Sequence, residues 1–367
     1  MGREQVSVAK NEVDPHFWHG KRVFVTGHTG FKGGWLCLWL QSLGAQVFGY
    51  ALVAKSPSIF GQARVGHGMT HTLGDVRDLH ALTKALAEAK PDVVFHLAAQ
   101  SLVRPSYDDP VGTYATNVMG TVNVLEAVRQ ANAAGQQNIR ALVVVTTDKC
   151  YENREWLWGY RENEALGGHD PYSSSKACAE IVTAAYRASF AGTQPTLAIA
   201  TARAGNVIGG GDWAKDRLVP DAIEAFSNKV PLHIRSPAAI RPWQHVLEPL
   251  AGYLMLAQRL VQDGATFAEA WNFGPNASGE RTVGDVASIL AEFWGGGAKW
   301  QVDGGEHVHE AQFLKLDSSK ARSLLHWQPR LSLSDALHLT ADWYKAHHSG
   351  AAMHQFTLDQ IGAYAAL

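Results

Sequence analysis

Cysteine is scarce in this chain: three in 367 residues, Cys37, Cys150 and Cys178, with no C-x-x-C pair. An odd count at that spacing excludes a disulfide framework or zinc knuckle as the organising device and suits a reducing compartment. An excess of one charge is also missing. The 34 acids and 32 bases leave a formal charge of -2, which gives no footing for nucleic acid or an anionic membrane. No apolar run approaches the roughly 20 residues that span a bilayer. The opening M-G-R-E-Q-V has no apolar signal core, and Val6 stands where a myristoylation signal needs Ser or Thr. These absences lead to the expectation of a cytoplasmic protein. Histidine is plentiful at 17, yet the closest sets, His67/His71, His307/His309 and His347/His348, form no H-E-x-x-H and have no thiolates or carboxylates at ligand spacing, so no metal is expected.

What is present is alternation. Lys21 to Thr26 reads as a strand that runs into G-H-T-G-F-K-G, with Gly27, Gly30 and Gly33 evenly spaced, and then into a helical run from Trp35 to Leu43 stopped by Gly44. Strand, glycine turn and helix in that order place backbone N–H groups at a helix N-terminus, where a pyrophosphate binds. A lone glycine turn is as readily a bend without a ligand; the context decides for a nucleotide. Strands are expected at 47–50, 70–73, 93–98, 142–145 and 196–202, with helices after Asp78 and over 117–131. Such alternation means a doubly wound parallel α/β sheet. The acid that usually follows the glycines by about 20 residues, to hold the ribose 2′-OH, is missing between Val47 and Lys55. Lys55 or Arg64 would tolerate a 2′-phosphate, so the residues leave NAD and NADP open.

The stretch from Val143 to Lys176 organises the rest. It reads V-V-V-T-T-D-K-C-Y, a polar loop, then D-P-Y-S-S-S-K. Val143 to Val145 is a buried parallel strand by pattern, which puts Thr146, Thr147, Asp148 and Lys149 at its carboxyl end, where open α/β sheets bind ligands. Asp170 is a helix cap and Pro171 a first helical residue, so Tyr172 and Lys176 lie one turn apart on one face. A lysine ammonium beside a phenol favours the phenolate and lowers a pKa of about 10. By itself Y-x-x-x-K also occurs by chance on solvated helices.

Together, T-G-H-T-G-F-K-G, H-L-A-A-Q (His96 to Gln100), Asn117 and the Tyr172/Lys176 pair resemble the extended short-chain dehydrogenase/reductase superfamily. T-T-D-K and R-P-W-Q-H-V-L-E-P-L narrow the resemblance to its CDP-glucose 4,6-dehydratase family, from about Phe17 to Leu333. The resemblance implies a Rossmann-type dinucleotide domain over residues 16–202, to which later segments return, and a second, smaller α/β domain, mainly 203–345, for a nucleotide sugar. It implies NAD as cofactor, with Gly27, His28, Gly30, Phe31, Lys32 and Gly33 around the pyrophosphate and Asp75 with Val76 near the adenine. Leu97, Ala98, Ala99, Asn117, Tyr172 and Lys176 complete the cofactor set at the nicotinamide end. Gln100, Ser101, Asn206, Arg217, Val219 and Arg241 are the implied substrate contacts. Relatives pair through two helices, here those beginning near Asn117 and Tyr172, so a homodimer or homotetramer is expected.

The implied chemistry is redox-neutral dehydration. Oxidation at C4 of the glucose makes the C5 proton acidic, water leaves from C5 and C6, and hydride returns to C6. Tyr172 is the implied base for the O4 proton, Thr147 the hydrogen-bonding group for the developing C4 carbonyl, Lys176 the residue that holds Tyr172 ionised and binds the nicotinamide ribose, and Asp148 the acid for the C6 hydroxyl. The related dTDP-sugar enzymes carry Asp-Glu after this Thr with Glu as C5 base, whereas Lys149 stands here. This departure favours the CDP-glucose branch and leaves the C5 base open between Lys149 and another group. The alternatives are a dTDP- or GDP-sugar dehydratase, a 4-epimerase or simple reductase with no use for Asp148 and Lys149, and a nucleotide-sensing subunit without turnover.

Overall fold

The computed structural model describes residues 12–135, 137–190, 197–276, 279–305 and 313–367. Val6, Thr196, His307 and His309 lie outside them. Twelve strands are described: β1 (Arg22–Thr26), β2 (Gln46–Ala51), β3 (Thr70–Leu73), β4 (Val93–His96), β5 (Ala141–Val145), β6 (Ala198–Ala204), β7 (Asn206–Ile208), β8 (Leu232–Ile234), β9 (Ile240–His245), β10 (Ala270–Phe273), β11 (Glu280–Thr282) and β12 (Trp300–Val302). Seven of them form one sheet in the order β10-β6-β5-β4-β1-β2-β3, every pair parallel.

Parallel neighbours need crossovers, and the helices that make them cover both faces. Side chains accordingly alternate between two cores. Val23, Val25, Phe95, Val143, Ala200 and Ala202 pack with the helices Phe31–Ser42 and Leu247–Asp263. Phe24, Val94, Leu142 and Val144 pack with Leu79–Ala89 and Gly120–Ala133. The chain moves outward from β1 to β2 and β3, then crosses back to β4 on the other side. This reversal opens a crevice beyond the carboxyl ends of β1 and β4, the place where such sheets bind ligands.

Among the described strands after β6, only β10 rejoins the main sheet. The remaining strands build two small sheets, β11-β9-β7 and β12-β8; β7 follows β6 after Gly205 alone, so the first of these begins at the carboxyl edge of the main sheet. One expected helix differs from its sequence reading. The run expected over 117–131 begins as Pro110–Tyr114, capped by the Asp109 side chain, passes through a π-turn at Ala115–Met119 and continues as Gly120–Ala133. A π-turn inserts one residue and breaks the 3.6-residue period, so the first half was not legible as the same helix. Among the described residues no helix is long and apolar enough to cross a membrane, and no group of three or more His, Cys, Asp or Glu forms a metal site.

Candidate active site

The turn after β1 is built for close approach. Gly27 has φ +77°, and a Cβ there would lie 2.6 Å from the Ala98 nitrogen; one on Gly33 would lie 2.2 Å from the Gly27 carbonyl oxygen. Gly30 caps the helix Phe31–Ser42 without any side-chain hydrogen bond, leaving the first N–H groups for a ligand. Thr26 fixes the neighbouring strand end: its hydroxyl accepts from the backbone N–H groups of Leu97 and Ala98 at 3.2 Å and bonds His96 Nδ1 at 2.7 Å. Burial pushes His96 down to about 3, so it stays neutral while bridging to Thr121. These features fit a dinucleotide pyrophosphate.

One cavity of about 1810 Å³ runs from this turn across the carboxyl edge of the sheet. A pocket for one drug-sized ligand is roughly 300–1,000 Å³, so there is room for a dinucleotide and a second ligand together. Gly27, Gly30, Phe31, Lys32, Gly33, Asp75, Val76, Leu97, Ala98 and Ala99 line it on the cofactor side, Thr147, Lys149, Tyr172 and Lys176 at the end of β5, and Ser101, Asn206, Arg217, Val219 and Arg241 on the far side. Lys55 is also in the lining; Arg64, exposed and in a left-handed conformation, is not. Asp75 is engaged by Arg77 at 2.6 Å.

Four sequence-predicted residues are not in that lining. His28 is fully buried beneath the glycine turn, 5.4 Å ring to ring from Phe60 and 5.6 Å from His71, and burial pushes it down to about 4. Asn117, inside the π-turn, exchanges two 2.9 Å hydrogen bonds with the Gln100 backbone and donates to Ser175 at 2.8 Å. It thereby pins the β4 loop to the helix Pro171–Phe190. Gln100 spends its own amide on Leu102 and Thr113. Asp148 is fully buried just behind the wall.

At the end of β5 a short 3₁₀ turn over Asp148–Cys150 presents the chemistry. Thr147 donates to Asp148 Oδ1 at 2.9 Å, and the Lys149 ammonium reaches the same oxygen at 3.4 Å and Asn206 at 3.5 Å. Asp148 Oδ2 has no partner among the described residues, and Gly205 leaves space beside it. The helix Pro171–Phe190 opens with Asp170 accepting from the Ser173 N–H at 2.9 Å, which brings Tyr172 over the turn. The electrostatics differ from the sequence expectation for Tyr172. Burial pushes its phenol up to about 12, Thr147 pulling down and Asp148 pushing up. The Lys176 side chain is turned to the end of β5. Its ammonium donates to the Val145 carbonyl at 3.0 Å, and burial pushes it down to about 8 against the pull of Glu180.

Beneath this turn lies a polar network that the sequence reading missed. Glu180 and Arg203 form a buried ion pair at 2.9 Å, and Glu180 also accepts from Thr146 and from Thr201, the latter at 2.6 Å. Arg203 bonds the Tyr151 hydroxyl at 2.7 Å, which donates to Asn272 at 2.7 Å. Burial works against the Glu180 carboxylate, but Arg203 and the two hydroxyls outweigh it and hold the group below the usual range. Both residues left a signal: Glu180 falls on the same helix face as Tyr172 and Lys176, and Arg203 interrupts the alanines of β6.

The resemblance extends to known proteins. The family model described as GDP-mannose 4,6 dehydratase matches residues 24–340. The CDP-glucose 4,6-dehydratase of Salmonella typhimurium is 54% identical over 346 residues, covering 93% of this chain and 95% of that protein. Among solved structures, an epimerase from Methanothermobacter thermautotrophicus superposes with TM-score 0.79 at 24% identity, over 92% of this chain and 96% of its own. The dTDP-glucose 4,6-dehydratase DesIV of Streptomyces venezuelae, solved with NAD bound, gives TM-score 0.75 at 23% identity, over 90% of this chain and 98% of its own. The last two carry the fold alone. With a glycine cradle, a Thr-Asp-Lys turn and a Tyr/Lys helix on one cavity, and matches of this extent, the chain belongs to the GDP-mannose 4,6 dehydratase family and is a homologue of CDP-glucose 4,6-dehydratase.

Proposed function

We propose that the protein is an NAD-dependent hydro-lyase that converts CDP-D-glucose to CDP-4-keto-6-deoxy-D-glucose. The observation that carries the reading is the convergence of Thr147, Asp148 and Lys149 with Tyr172 at one point of a two-ligand cavity, in a chain 54% identical to a CDP-glucose 4,6-dehydratase. A 4-epimerase or simple reductase needs only the tyrosine end of this set. Residues 16–202 hold the dinucleotide and residues 203–345 mainly the nucleotide sugar, with β10 returning to the first part.

Backbone N–H groups of the glycine turn hold the pyrophosphate of NAD, and Lys176 steadies its nicotinamide end. Bound NAD+ supplies the acceptor for the C4 hydride and the source of the hydride that reduces C6. Tyr172 removes the O4 proton as general base, a role typically worth 10² to 10⁴ in rate. Thr147 hydrogen-bonds the developing C4 carbonyl. Asp148 gives a proton to the departing C6 hydroxyl. Lys149, the next residue of the same turn and tethered to Asp148 and Asn206, takes the C5 proton or steadies the enolate that its loss creates. Ser101, Asn206, Arg217, Val219 and Arg241 receive the nucleotide sugar, the arginines matching phosphate oxygens.

The protein acts as a homodimer or a dimer of dimers. Val111, Tyr114 and Met119 on the segment leading into Gly120–Ala133, and Ile181 on Pro171–Phe190, are large apolar side chains 39–78% exposed on or beside the two expected pairing elements. A sedimentation mass equal to one chain defeats this part. Three unpaired cysteines fit work in the cytoplasm. The function is tested by incubating the protein and NAD+ with CDP-, dTDP-, GDP- and UDP-glucose in turn. CDP-glucose should give a 4-keto-6-deoxy product with no net cofactor reduction. A C4 epimer, or no keto product from any of the four, overturns the proposal.

A further inference from the structure

Lys32 stands where folding alone has no use for a lysine. It is the second residue of the helix Phe31–Ser42, where the positive end of the helix dipole disfavours a cation. It lines the cavity, and its ammonium makes no hydrogen bond or ion pair among the described residues; its recorded contact is the Tyr253 ring, 6.0 Å away. The Tyr253 hydroxyl is itself buried, without a partner among the described residues. The charges that act on Lys32 are Arg217, then Asp148, Lys176 and Lys149: three cations against one carboxylate, and that carboxylate already serves Thr147 and Lys149. Burial first and Arg217 second push the ammonium down to about 7. A sequence that departs from local rules in this way does so at a functional site.

Arg217 supplies the other half. It caps the helix Leu218–Ser227 from the far wall, held by Asp212 at 2.8 Å and Ser101 at 3.2 Å. The glycine turn already offers backbone N–H groups to the cofactor pyrophosphate, so the Lys32 side chain is left to reach across the cavity. We propose that Lys32 and Arg217 close from opposite walls on the diphosphate of the nucleotide sugar, so that a residue of the cofactor turn is a substrate residue. This rests on the cavity holding a dinucleotide beside a nucleotide sugar. An amine lying near 7 in the free protein is mostly neutral at pH 8 and becomes charged once the phosphate arrives, so binding takes up a proton.

The test is titration calorimetry at pH 8, in buffers of different ionisation enthalpy, with CDP, cytidine and NAD+ as separate ligands. The wild-type protein should take up close to one proton per CDP. Lys32→Met should lose that uptake and bind CDP about tenfold or more weakly, the worth of one charge-assisted hydrogen bond. Its affinity for cytidine and NAD+ should stay within about threefold, a change under 1 kcal/mol. Lys32→Arg should keep CDP affinity without proton uptake, because its charge is permanent. Unchanged CDP binding in Lys32→Met, or an equal loss for NAD+ and CDP, overturns the proposal. UDP and dTDP run alongside: if one of them binds in place of CDP, the nucleotide assignment fails while the dependence on Lys32 is read with that diphosphate.

Discussion

The Lys176 ammonium donates to the Val145 carbonyl oxygen at 3.0 Å, tying the second turn of the helix Pro171–Phe190 to the last residue of β5. This bond sets where Tyr172 stands above Thr147, and burial there pushes its phenol up to about 12. A bound NAD+ would place its positive nicotinamide near the phenol, and a nearby cation favours the phenolate. Tyr172→Phe should therefore lower turnover of CDP-glucose by roughly 10² to 10⁴, the worth of a general base, with NAD+ affinity kept. Steady-state rates and a cofactor titration check it, and near-normal turnover rules the assignment out.

The Arg203–Glu180 pair is buried under the same turn. Removing one partner of such a pair strands a charge and costs about 3–5 kcal/mol. Arg203→Met should lose about that much stability in urea unfolding. Arg203→Met combined with Glu180→Leu should recover part of it, since no lone carboxylate remains. Equal stability of the single and double variants would falsify the charge argument.

The carboxyl ends of β1, β4 and β5 were legible because buried parallel strands are short apolar runs broken by glycine or polar residues, as at Thr26-Gly27 and Val145-Thr146. The Tyr172/Lys176 spacing was legible because helical geometry alone sets it. The π-turn at Asn117 was not, since one inserted residue leaves no compositional mark. Nor was the charge state of Tyr172: a motif places Lys176 one turn away but does not say that Val145 will hold its ammonium. The aim of Lys32 was hidden for a related reason, because its surroundings come from Arg217, Tyr253 and Asp148, all distant in sequence.

Acid should destabilise the fold through three fully buried histidines. Burial pushes His28 down to about 4, and His96 and His245 to about 3. An unfolded histidine takes a proton near 6.5, so between that pH and about 4 the unfolded state binds more protons and stability falls as pH falls. At pH 5 each contributes up to about 2 kcal/mol of loss. Urea unfolding at pH 7 and pH 5 should show the drop, and His245→Gln should show about 2 kcal/mol less of it. A stability independent of pH across this window would sink the argument.

The most exposed prediction concerns Asp148 and Lys149: Thr147 and Lys149 both donate to Asp148 Oδ1, while Oδ2 has no partner among the described residues. If Asp148 protonates the leaving hydroxyl, Asp148→Asn should permit oxidation at C4 and stall elimination. The near-ultraviolet absorbance of reduced nicotinamide should then rise as 4-keto-6-deoxy product falls. Lys149 separates in the same assay. As C5 base or enolate stabiliser, its replacement in Lys149→Met should also stall after oxidation and abolish deuterium exchange at C5. As a solvated neighbour of Asp148 it should leave exchange and product within a few-fold of the parent. The geometry favours the first outcome: the Lys149 side chain lines the cavity and is tethered on both sides, to Asp148 and to Asn206, rather than extending into solvent. A lysine held in this way is placed to exchange a proton with a bound sugar. Undiminished C5 exchange in Lys149→Met would remove it from the reaction and leave the base to be sought among the other groups that face the cavity.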